Sequence, residues 1–494
     1  MSRQFGRRFL HFLLPAVALA LWDGAFADPW AAPGDSGLRH DVQLLSDAGL
    51  LAGPFLSWPV GWDELAENLP LAGDADLSAP QARALARVRA RATRELKPDE
   101  VDLQLRLSAA VEPIIVRNFE DSPREEGEAW VSVATQGERW AGRLRLAAVA
   151  SPDDDQQIRA DGSYLGAMLG NWFLSAGLTE RWWGPGWQGS LILSTAARPV
   201  PAIAIDRLNS DPFELPVLRW LGPWKLSAFM GQLESDREYP NALLFGLRLE
   251  IRPHPTLQLG LSRTAQWCGE GRPCGLDTFW DLLVGNDNQP DLEQQPGNQL
   301  AGFDLRWSWP GGRVPVAVYA QGIGEDEAGA LPSRYLGLFG LEFWGGVRDT
   351  SFRGYLEYAD TACDFTSSPP EFGCAYTNVI YTDGYRYRGR SIGHSIDADG
   401  ESLSLGAVVV DGDGRQWLGR ASNIKINRAG LAARHSLSDD PARLREISLE
   451  HVRGLGRGRL KIGLGYLDTD VQAGARTVLD EGLRGYLDWQ LNWH

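Results

Sequence analysis

Apolar and polar side chains alternate along this chain from Val101 to its last residues. In the final segment, Leu487, Trp489, Leu491 and Trp493 alternate with Asp488, Gln490 and Asn492. Successive side chains of a β-strand point to opposite faces, so this period predicts strands with one apolar and one polar face. The sequence stops inside such a segment, and we expect this last strand to pair with the first and close a barrel.

The same alternation appears in earlier parts of the chain. The clearest segments are 101–108, 140–146, 245–252, 303–309, 352–358 and 460–466. In a soluble sandwich or propeller the apolar face would point into a core, whereas in a membrane barrel it would face lipid and the polar face would line the lumen. A strand with its connection takes roughly 20 to 24 residues, so the chain after Val101 would hold about 16 to 20 strands.

Aromatic and glycine content favours the membrane barrel. The chain has 20 Trp and 56 Gly but only 3 Met, and outer-membrane barrels place Trp and Tyr in girdles at both membrane surfaces. After the first 27 residues there is no apolar run of about 18 residues, the length that a membrane-spanning helix needs. We therefore predict that residues 99–494 form an all-β transmembrane barrel in the outer membrane of a Gram-negative-type envelope, surrounded by lipid as a monomer.

The first 27 residues resemble a secretory signal peptide, with a basic start, an apolar centre and a small-residue cleavage site. These parts are Arg3, Arg7 and Arg8, the stretch from Phe9 to Leu21, and Ala25-Phe26-Ala27. We expect cleavage before Asp28. The formal net charge of −16 disfavours contact with polyanions at long range, so nucleic acid is not expected as a partner.

Residues 28–98 have a helical rather than a strand period. Leu38, Val42 and Leu45 recur at steps of three and four residues, and Ser78-Ala79-Pro80-Gln81 is typical of a helix start. We predict a small N-terminal α-helical bundle. A barrel of 16 or more strands encloses a wide lumen unless something fills it, and this bundle is the candidate for plugging or capping it.

The four cysteines form two local pairs, each within a loop rich in Gly, Pro, Asp and Ser. By proximity we expect disulfides between Cys268 and Cys274 and between Cys363 and Cys374. Zinc binding is the competing interpretation, but no histidine flanks either pair at ligand spacing. We expect no metal and no cofactor.

The chain offers little for catalysis. There is no H-E-x-x-H motif and no Walker-type phosphate-binding loop. His435 with Asp439 and Asp440 is the nearest approach to an acid–base cluster, and it lacks a positioned nucleophile. We predict that the protein is not an enzyme, and an outer-membrane hydrolase using His435 is the alternative.

The segment Arg181 to Asp206 has an unusual aromatic turn. Trp182, Trp183 and Trp187 surround Gly184-Pro185-Gly186, a corner suited to Gly and Pro, and Arg198-Pro199-Val200-Pro201 follows. Such a segment provides flat aromatic surface, a guanidinium and a stiff backbone, which suit binding or anchoring better than bond cleavage.

Four segments in the same order resemble the capsule assembly Wzi family of outer-membrane proteins, and the N-terminal LRHDVQLLSDAGLL fits the helical start of that family. These segments are 181–205, 264–288, 296–309 and 380–400. The resemblance implies a barrel of about eighteen strands blocked by a helical bundle. It also implies a lectin-like role in attaching capsular or exopolysaccharide to the cell surface and assisting capsule assembly.

We expect polysaccharide contacts from aromatic and cationic residues in the stapled and Gly-rich segments. These candidates are Trp182, Trp183, Trp187, Arg198, Trp267, Arg272, Tyr385, Arg386, Tyr387, Arg388 and Arg390. Two alternatives stay open. The tryptophans could form the interfacial belt, and the arginines of the strands could form cross-strand ion pairs rather than a track for an anion. An outer-membrane porin or oligosaccharide channel is the alternative function if the lumen is open.

Overall fold

The computed structural model describes residues 28–67, 69, 77–96, 102–284, 297–328, 331–432, 434–471 and 478–493. The predicted signal peptide lies outside these residues. The division into a helical domain at 28–98 and a barrel at 99–494 stays a prediction, and three helices and the first barrel strand lie within these respective ranges.

Eighteen antiparallel strands form a closed barrel, which confirms the predicted fold class. The strands are β1 Asp102–Val111, β2 Gly127–Gln136, β3 Trp140–Ala150, β4 Tyr164–Leu169, β5 Trp172–Gly177, β6 Ala202–Arg207, β7 Trp224–Gln232, β8 Leu243–His254, β9 Leu257–Trp267, β10 Gly297–Trp309, β11 Val316–Ala328, β12 Leu331–Val347, β13 Thr350–Asp360, β14 Glu401–Val410, β15 Gln416–Ile426, β16 Ala442–Leu455, β17 Gly458–Val471 and β18 Gly482–Trp493. The last strand pairs with the first, with Trp489 opposite Leu107. The two-residue strand Ile158–Arg159 adds to the edge of β3.

The burial of alternate residues settles which face of each strand is outside. On β1, Asp102, Gln104 and Arg106 are buried in the lumen, whereas Leu103 and Leu107 are exposed on the outer wall. A soluble sandwich would bury the apolar set instead. The outer wall is therefore the lipid-facing surface that a transmembrane barrel requires.

Many lumenal arginines of the wall form ion pairs. Arg248 bonds Asp304 through both terminal nitrogens, at 2.7 and 2.9 Å. Arg106 pairs with Asp488 across the closing β18–β1 seam and with Asp121 at 2.7 Å. These contacts support the ion-pair interpretation of the strand arginines over an open anion track.

The two ends of the barrel differ in the length of their connections. At one end, the turns 137–139, 170–171, 255–256, 348–349 and 456–457 are short. At the other end, the connections 112–126, 178–201, 268–296 and 361–400 are long. We call these the turn end and the loop end. Outer-membrane barrels place short turns in the periplasm and long loops outside the cell.

Three helices precede the barrel: α1 Ser36–Asp47, α2 Trp62–Glu67 and α3 Ala79–Glu95. The Asp35 side chain caps α1 by accepting a hydrogen bond from the Leu38 amide at 3.0 Å, and every residue of α1 is buried. Val42, Leu45, Leu85 and Val88 join α1 and α3 in one apolar cluster. A fourth helix, α4 Leu276–Val284, follows β9. Among the described residues, no helix has the length and apolar character needed to span a membrane.

The N-terminal segment 28–67, with α3, fills the lumen from the turn end, and we call it the helical closure. Asp47 at the end of α1 accepts two hydrogen bonds from Arg306 of β10, at 2.7 and 2.9 Å, and one from Arg353 of β13 at 3.2 Å. Arg252 of β8 donates to the carbonyls of Leu51 and Gly53. The closure is therefore fixed to the wall by buried charges.

Candidate functional site

The aromatic turn predicted from the sequence lies in the centre of the lumen. Trp182 and Trp183 are each 1% exposed and Trp187 is 2% exposed. Residues 182–197 enter from the loop end as part of the β5–β6 connection, and we call them the loop closure. The rings are enclosed by protein, so they brace the interior and present no free face to a sugar in this structure.

One carboxylate holds the turn of the loop closure. Glu357 of β13 accepts hydrogen bonds from the backbone amides of Trp187 at 2.7 Å and Gly189 at 2.9 Å. It also accepts from the amide of Gln188 and from the Tyr319 hydroxyl. A side chain at residue 189 would place its Cβ 1.9 Å from the His394 ring, so this close approach requires glycine.

The two closures meet at Arg39 of α1. Its guanidinium donates to the carbonyls of Pro185 at 2.7 Å and Gly186 at 2.8 Å. It also lies over the Trp187 ring, 4.3 Å from the ring centroid. Nearby, Ser57–Trp58 pairs with Trp182–Trp183 as a two-stranded sheet. The Gly-Pro corner is thus a docking point between the two closures.

Two further candidates from the 380–400 segment are also interior residues. The Tyr385 hydroxyl donates to the carbonyl of Ile192 at 2.8 Å. Arg386 Nε donates to Asp397 at 2.7 Å. Both side chains fix the 361–400 connection over the loop closure, and neither is exposed.

Trp267 and Arg272 lie at the rim of the loop end. Trp267 is buried under α4, with its ring centroid 4.9 Å from that of Phe279. Arg272 lies over the Tyr239 ring at 5.4 Å. Both predicted disulfides, Cys268–Cys274 and Cys363–Cys374, are present.

The remaining four candidates line one cavity of 340 Å³ at the loop end. They are Arg198, Tyr387, Arg388 and Arg390. The cavity is bounded by the 112–126 and 151–163 connections, the end of the 178–201 connection, the 361–400 connection, and Val478 and Asp480 before β18. Because all of these are loop-end segments, the cavity faces the outside of the cell in the orientation given above. We call it the loop-end cavity.

Arg198 is held on the cavity wall by two carboxylates. It donates to Asp161 through Nε at 2.6 Å and Nη2 at 2.8 Å, and it also pairs with Asp154. Burial alone would raise the pKa of the Asp154 carboxyl, but Arg198 outweighs burial and holds that pKa below its usual range. The guanidinium therefore has a fixed position on the cavity wall.

Arg388 and Arg390 belong to a tight hairpin in which Arg386–Tyr387 pairs with Arg390–Ser391. The Arg388 guanidinium lies over the Tyr387 ring at 5.4 Å. Arg390 pairs with Asp153, whose side chain is about half exposed. The Arg390 side chain is more exposed than that of Arg198, at 23% against 9%.

The sequence interpretation missed two arginines of the cavity. Arg124 donates to the carbonyls of Thr195 at 2.8 Å and Ala196 at 3.0 Å. Arg117 donates to the Ser122 carbonyl at 3.0 Å, and burial lowers the pKa of Arg117 to about 10. The sequence feature that could have indicated these two arginines is the length of the 112–126 connection, because long connections at one end of a barrel gather around its opening.

The cavity has nearly balanced charge. Among the described residues that line it, five arginines accompany six carboxylate residues, namely Glu112, Glu125, Glu126, Asp153, Asp154 and Asp480. Such a surface offers both donors and acceptors in fixed positions. It is suited to a polyhydroxylated ligand, whose hydroxyl groups donate and accept hydrogen bonds.

The alternative acid–base cluster has a structural role. His435 is buried, its Nδ1 accepts from the Leu437 amide at 3.1 Å, and its Nε2 lies 3.2 Å from the Ala398 carbonyl. Burial lowers the pKa of His435. Both ring nitrogens are engaged by the backbone of the loops, which does not support the hydrolase interpretation.

Comparison with known proteins agrees with this architecture. Residues 102–416 match the family described as capsule assembly protein Wzi. A Klebsiella pneumoniae protein described as "Uncharacterized 55.8 kDa protein in cps region" is 30% identical over 419 residues, covering 83% of this chain and 81% of that protein.

A solved structure gives the same result. The Escherichia coli Wzi structure, described as an outer-membrane protein involved in group 1 capsule assembly and a carbohydrate-binding β-barrel, superposes with a TM-score of 0.82. The two sequences are 26% identical, and the match covers 94% of this chain and 100% of that one. The family match, the relative and the shared fold together show that this outer-membrane barrel belongs to the capsule assembly protein Wzi family.

Proposed function

We propose that this protein is a non-enzymatic, lectin-like outer-membrane protein that holds capsular or exopolysaccharide at the cell surface and assists capsule assembly. It acts as a monomeric barrel. The observation that carries this proposal is the loop-end cavity, in which four of the residues expected to contact polysaccharide come together. The related Escherichia coli barrel, described as carbohydrate-binding, supports the assignment.

The filled lumen favours binding over transport. The helical closure and the loop closure occupy the lumen from opposite ends and contact each other at Arg39. An oligosaccharide channel would need both to move. The loop-end cavity, by contrast, is open without any rearrangement of the barrel interior.

The geometry suggests how a sugar would be held. Arg198 and Arg124 are fixed by carboxylates and carbonyls, so binding costs them little side-chain entropy. Arg388 and Arg390, on the hairpin, can rotate to donate to hydroxyl or carboxylate groups of a glycan. A volume of 340 Å³ is within the lower range of ligand pockets, so the cavity would take a short segment of a long chain.

The test uses the double variant Arg388→Gln, Arg390→Gln in the full-length protein. We expect its affinity for the purified native polysaccharide to fall at least about tenfold, because two donors to the glycan are weakened. Cells carrying it would release polysaccharide into the medium without losing synthesis. The matched control is Arg313→Gln, an exposed arginine in a turn at the opposite end.

Equal barrel levels in the outer membrane must be verified by heat-modifiable migration on gels. Unchanged affinity and unchanged cell-associated polysaccharide in the double variant would refute the loop-end cavity as the binding site. Unchanged retention in a complete gene deletion would refute the function itself.

A further inference from the structure

Helix α4 lies against the outside of the barrel rather than over its lumen. On β8, Leu244 packs inside with Trp183, so the next residue, Phe245, faces outward by the period of the strand. On β9, Gln266 bonds the Gly384 carbonyl in the interior, so Trp267 faces outward. Phe279 of α4 packs on both outward rings, with centroid distances of 5.3 Å to Phe245 and 4.9 Å to Trp267.

Polar contacts fix both ends of the helix to the wall. At its start, the Thr278 hydroxyl donates to the Gly275 carbonyl at 2.8 Å and lies 3.3 Å from Trp267 Nε1. At its far end, Arg263 of β9 donates to the Leu282 carbonyl at 2.8 Å. The same guanidinium donates to Gln299 of β10 at 2.9 Å through Nε. The Cys268–Cys274 disulfide closes the segment that leads from β9 into the helix.

The packed side of α4 leaves another apolar side uncovered. Phe279 and Leu282, three residues apart, face the wall, and Leu282 is fully buried. Leu276 and Trp280, four residues apart, share a different face and are 85% and 64% exposed. This degree of exposure matches the lipid-facing wall, where Leu464 is 66% exposed.

We propose that α4 is an interfacial helix that inserts Leu276 and Trp280 among the acyl chains and headgroups of the outer leaflet. The uncovered face is continuous with the lipid-facing wall, because α4 rests on outward residues of β8 and β9 at their loop ends. Trp is favoured at this boundary, where one part of the ring is apolar and the other reaches water.

This placement also accounts for a charge on the outer wall. Arg263 faces outward among apolar residues, since its neighbours along β9, Ser262 and Thr264, are buried in the lumen. A charged group on the lipid face is costly unless its donors are satisfied. Gln299 and the end of α4 accept its hydrogen bonds, so the helix shields this cation from lipid while occupying the leaflet itself.

The competing occupant of this face is a glycan, for which an exposed Trp is a stacking platform. Leu276 argues against a glycan, because its side chain is more exposed than that of Trp280 and offers a sugar neither a ring face nor a hydrogen bond. The lipid surface explains both residues and the glycan explains only one.

The experiment exploits the pairing of all four cysteines, since the described residues hold no free cysteine. Single variants Trp280→Cys, Leu464→Cys and Asp413→Cys are labelled with a nitroxide in intact protein reconstituted in vesicles of phosphatidylethanolamine and phosphatidylglycerol. Residue 464 is the lipid reference and residue 413, in a turn, is the water reference. Collision rates with oxygen, which partitions into lipid, and with a water-soluble nickel chelate are measured.

We expect the label at residue 280 to give an oxygen-to-nickel ratio near that at residue 464 and several-fold above that at residue 413. A ratio near that at 413 would overturn the proposal. The proposal would also be overturned if residue 280 became protected from the nickel chelate only when purified polysaccharide is added. That result would identify the exposed face of α4 as a glycan-binding surface.

A second measurement avoids cysteine near the disulfide. Tryptophan fluorescence is compared between the native protein and Trp280→Phe in vesicles with and without brominated acyl chains. We expect the brominated chains to quench the emission of Trp280. The fluorescence difference between the native protein and the variant should therefore be smaller in brominated vesicles than in unbrominated ones. If the fluorescence difference between the two proteins is the same in both kinds of vesicle, Trp280 does not contact lipid and the proposal fails.

Discussion

The two closures of the lumen are held in different ways. The helical closure is fixed by charge pairs between separate elements, above all Asp47 with Arg306 and Arg353. The loop closure is fixed by backbone amides that converge on one carboxylate, Glu357, and by enclosed aromatic rings. The first belongs to the N-terminal segment that precedes the barrel strands, whereas the second is part of the wall's own connection between β5 and β6.

The barrel therefore has two separately anchored barriers rather than one plug. Arg39 joins them through two carbonyls of the Gly-Pro corner, but each also has its own anchors on the wall. Removing one closure should therefore leave the other in place. The sequence interpretation had considered only the helical one.

The largest expected effect is on conductance. In planar bilayers the intact protein should show no steady current, and deletion of residues 28–96 alone should give only small or intermittent current, because the loop closure remains. Replacing residues 182–197 by a short Gly-Ser linker in addition should open a wide pore, as expected for a barrel of this size.

Full current after the first deletion alone would show that the helical closure is the only barrier. Full current in the intact protein would instead support the porin. Binding of the deleted proteins to purified polysaccharide serves as the control for a folded loop end.

A second prediction compares the anchors of the two closures by stability. Asp47→Asn should lower the free energy of unfolding by roughly 3 to 5 kcal/mol, because it weakens the compensation of two buried arginines. Glu357→Gln should cost less, roughly 2 to 3 kcal/mol, since its main partners are neutral amides and the hydroxyl of Tyr319.

Urea unfolding of the detergent-solubilised barrel measures both changes, with the exposed Asp413→Asn as control. The reverse order of the two effects would contradict the assignment of charge anchoring to the helical closure.

A third prediction concerns the disulfide that spans the cover of the loop closure. The double variant Cys363→Ser, Cys374→Ser should lose roughly 2 to 3 kcal/mol, the chain-entropy value for a short loop. Proteolysis under native conditions should then cut within residues 361–400 and leave residues 28–67 protected. Equal cutting in both regions would show that the two closures are coupled more tightly than their contacts indicate.

The smallest expected effect is the response to acid, which should reach the loop end first. Burial lowers the pKa of His394 to about 4, so its contribution to stability is complete above pH ~6.5 and is lost as pH falls toward 4. Burial raises the pKa of Asp399 to about 6, so protonating it favours the fold as pH falls and partly offsets this loss.

In the helical closure, burial opposes ionisation of Asp35, but Arg459 and Arg91 outweigh it and hold the pKa of Asp35 well below its usual range. Its contribution is therefore kept until the pH falls below about 4. His394→Gln should make the variant increasingly stable relative to the native protein as pH falls from about 6.5 to 4, because the favourable protonation of Asp399 remains, whereas Asp399→Asn should steepen the loss over the same range. A stability curve unchanged by either variant would refute this account.

Much of the fold could be predicted from the sequence, because the alternation of apolar and polar residues that marks each barrel strand involves only neighbouring positions. The alternation in β1 and β18 separates polar and apolar residues onto two faces without knowledge of any partner, and the Trp and Gly content favours lipid as the surroundings of the apolar face. The cysteine pairs are separated by only six and eleven residues, and proximity alone was sufficient to assign them.

The candidate site was less predictable because it depends on which loops meet. Arg388 and Arg390 could be chosen by residue type, but nothing local to Trp183 or Tyr385 shows that the lumen encloses them. Their burial results from pairings far along the chain, such as Tyr376 with the Leu191 carbonyl. Arg117 was missed because its role depends on carbonyls and carboxylates brought together only in the folded mouth.

The contacts of Asp47 also impose an order on folding. Asp47 lies 259 residues from Arg306 and 306 residues from Arg353 along the chain, so its ion pairs can form only after β10 and β13 are in place. The closing β18–β1 seam brings together still more distant residues. The N-terminal segment is therefore among the last to reach its native partners, although it is the first to be synthesised.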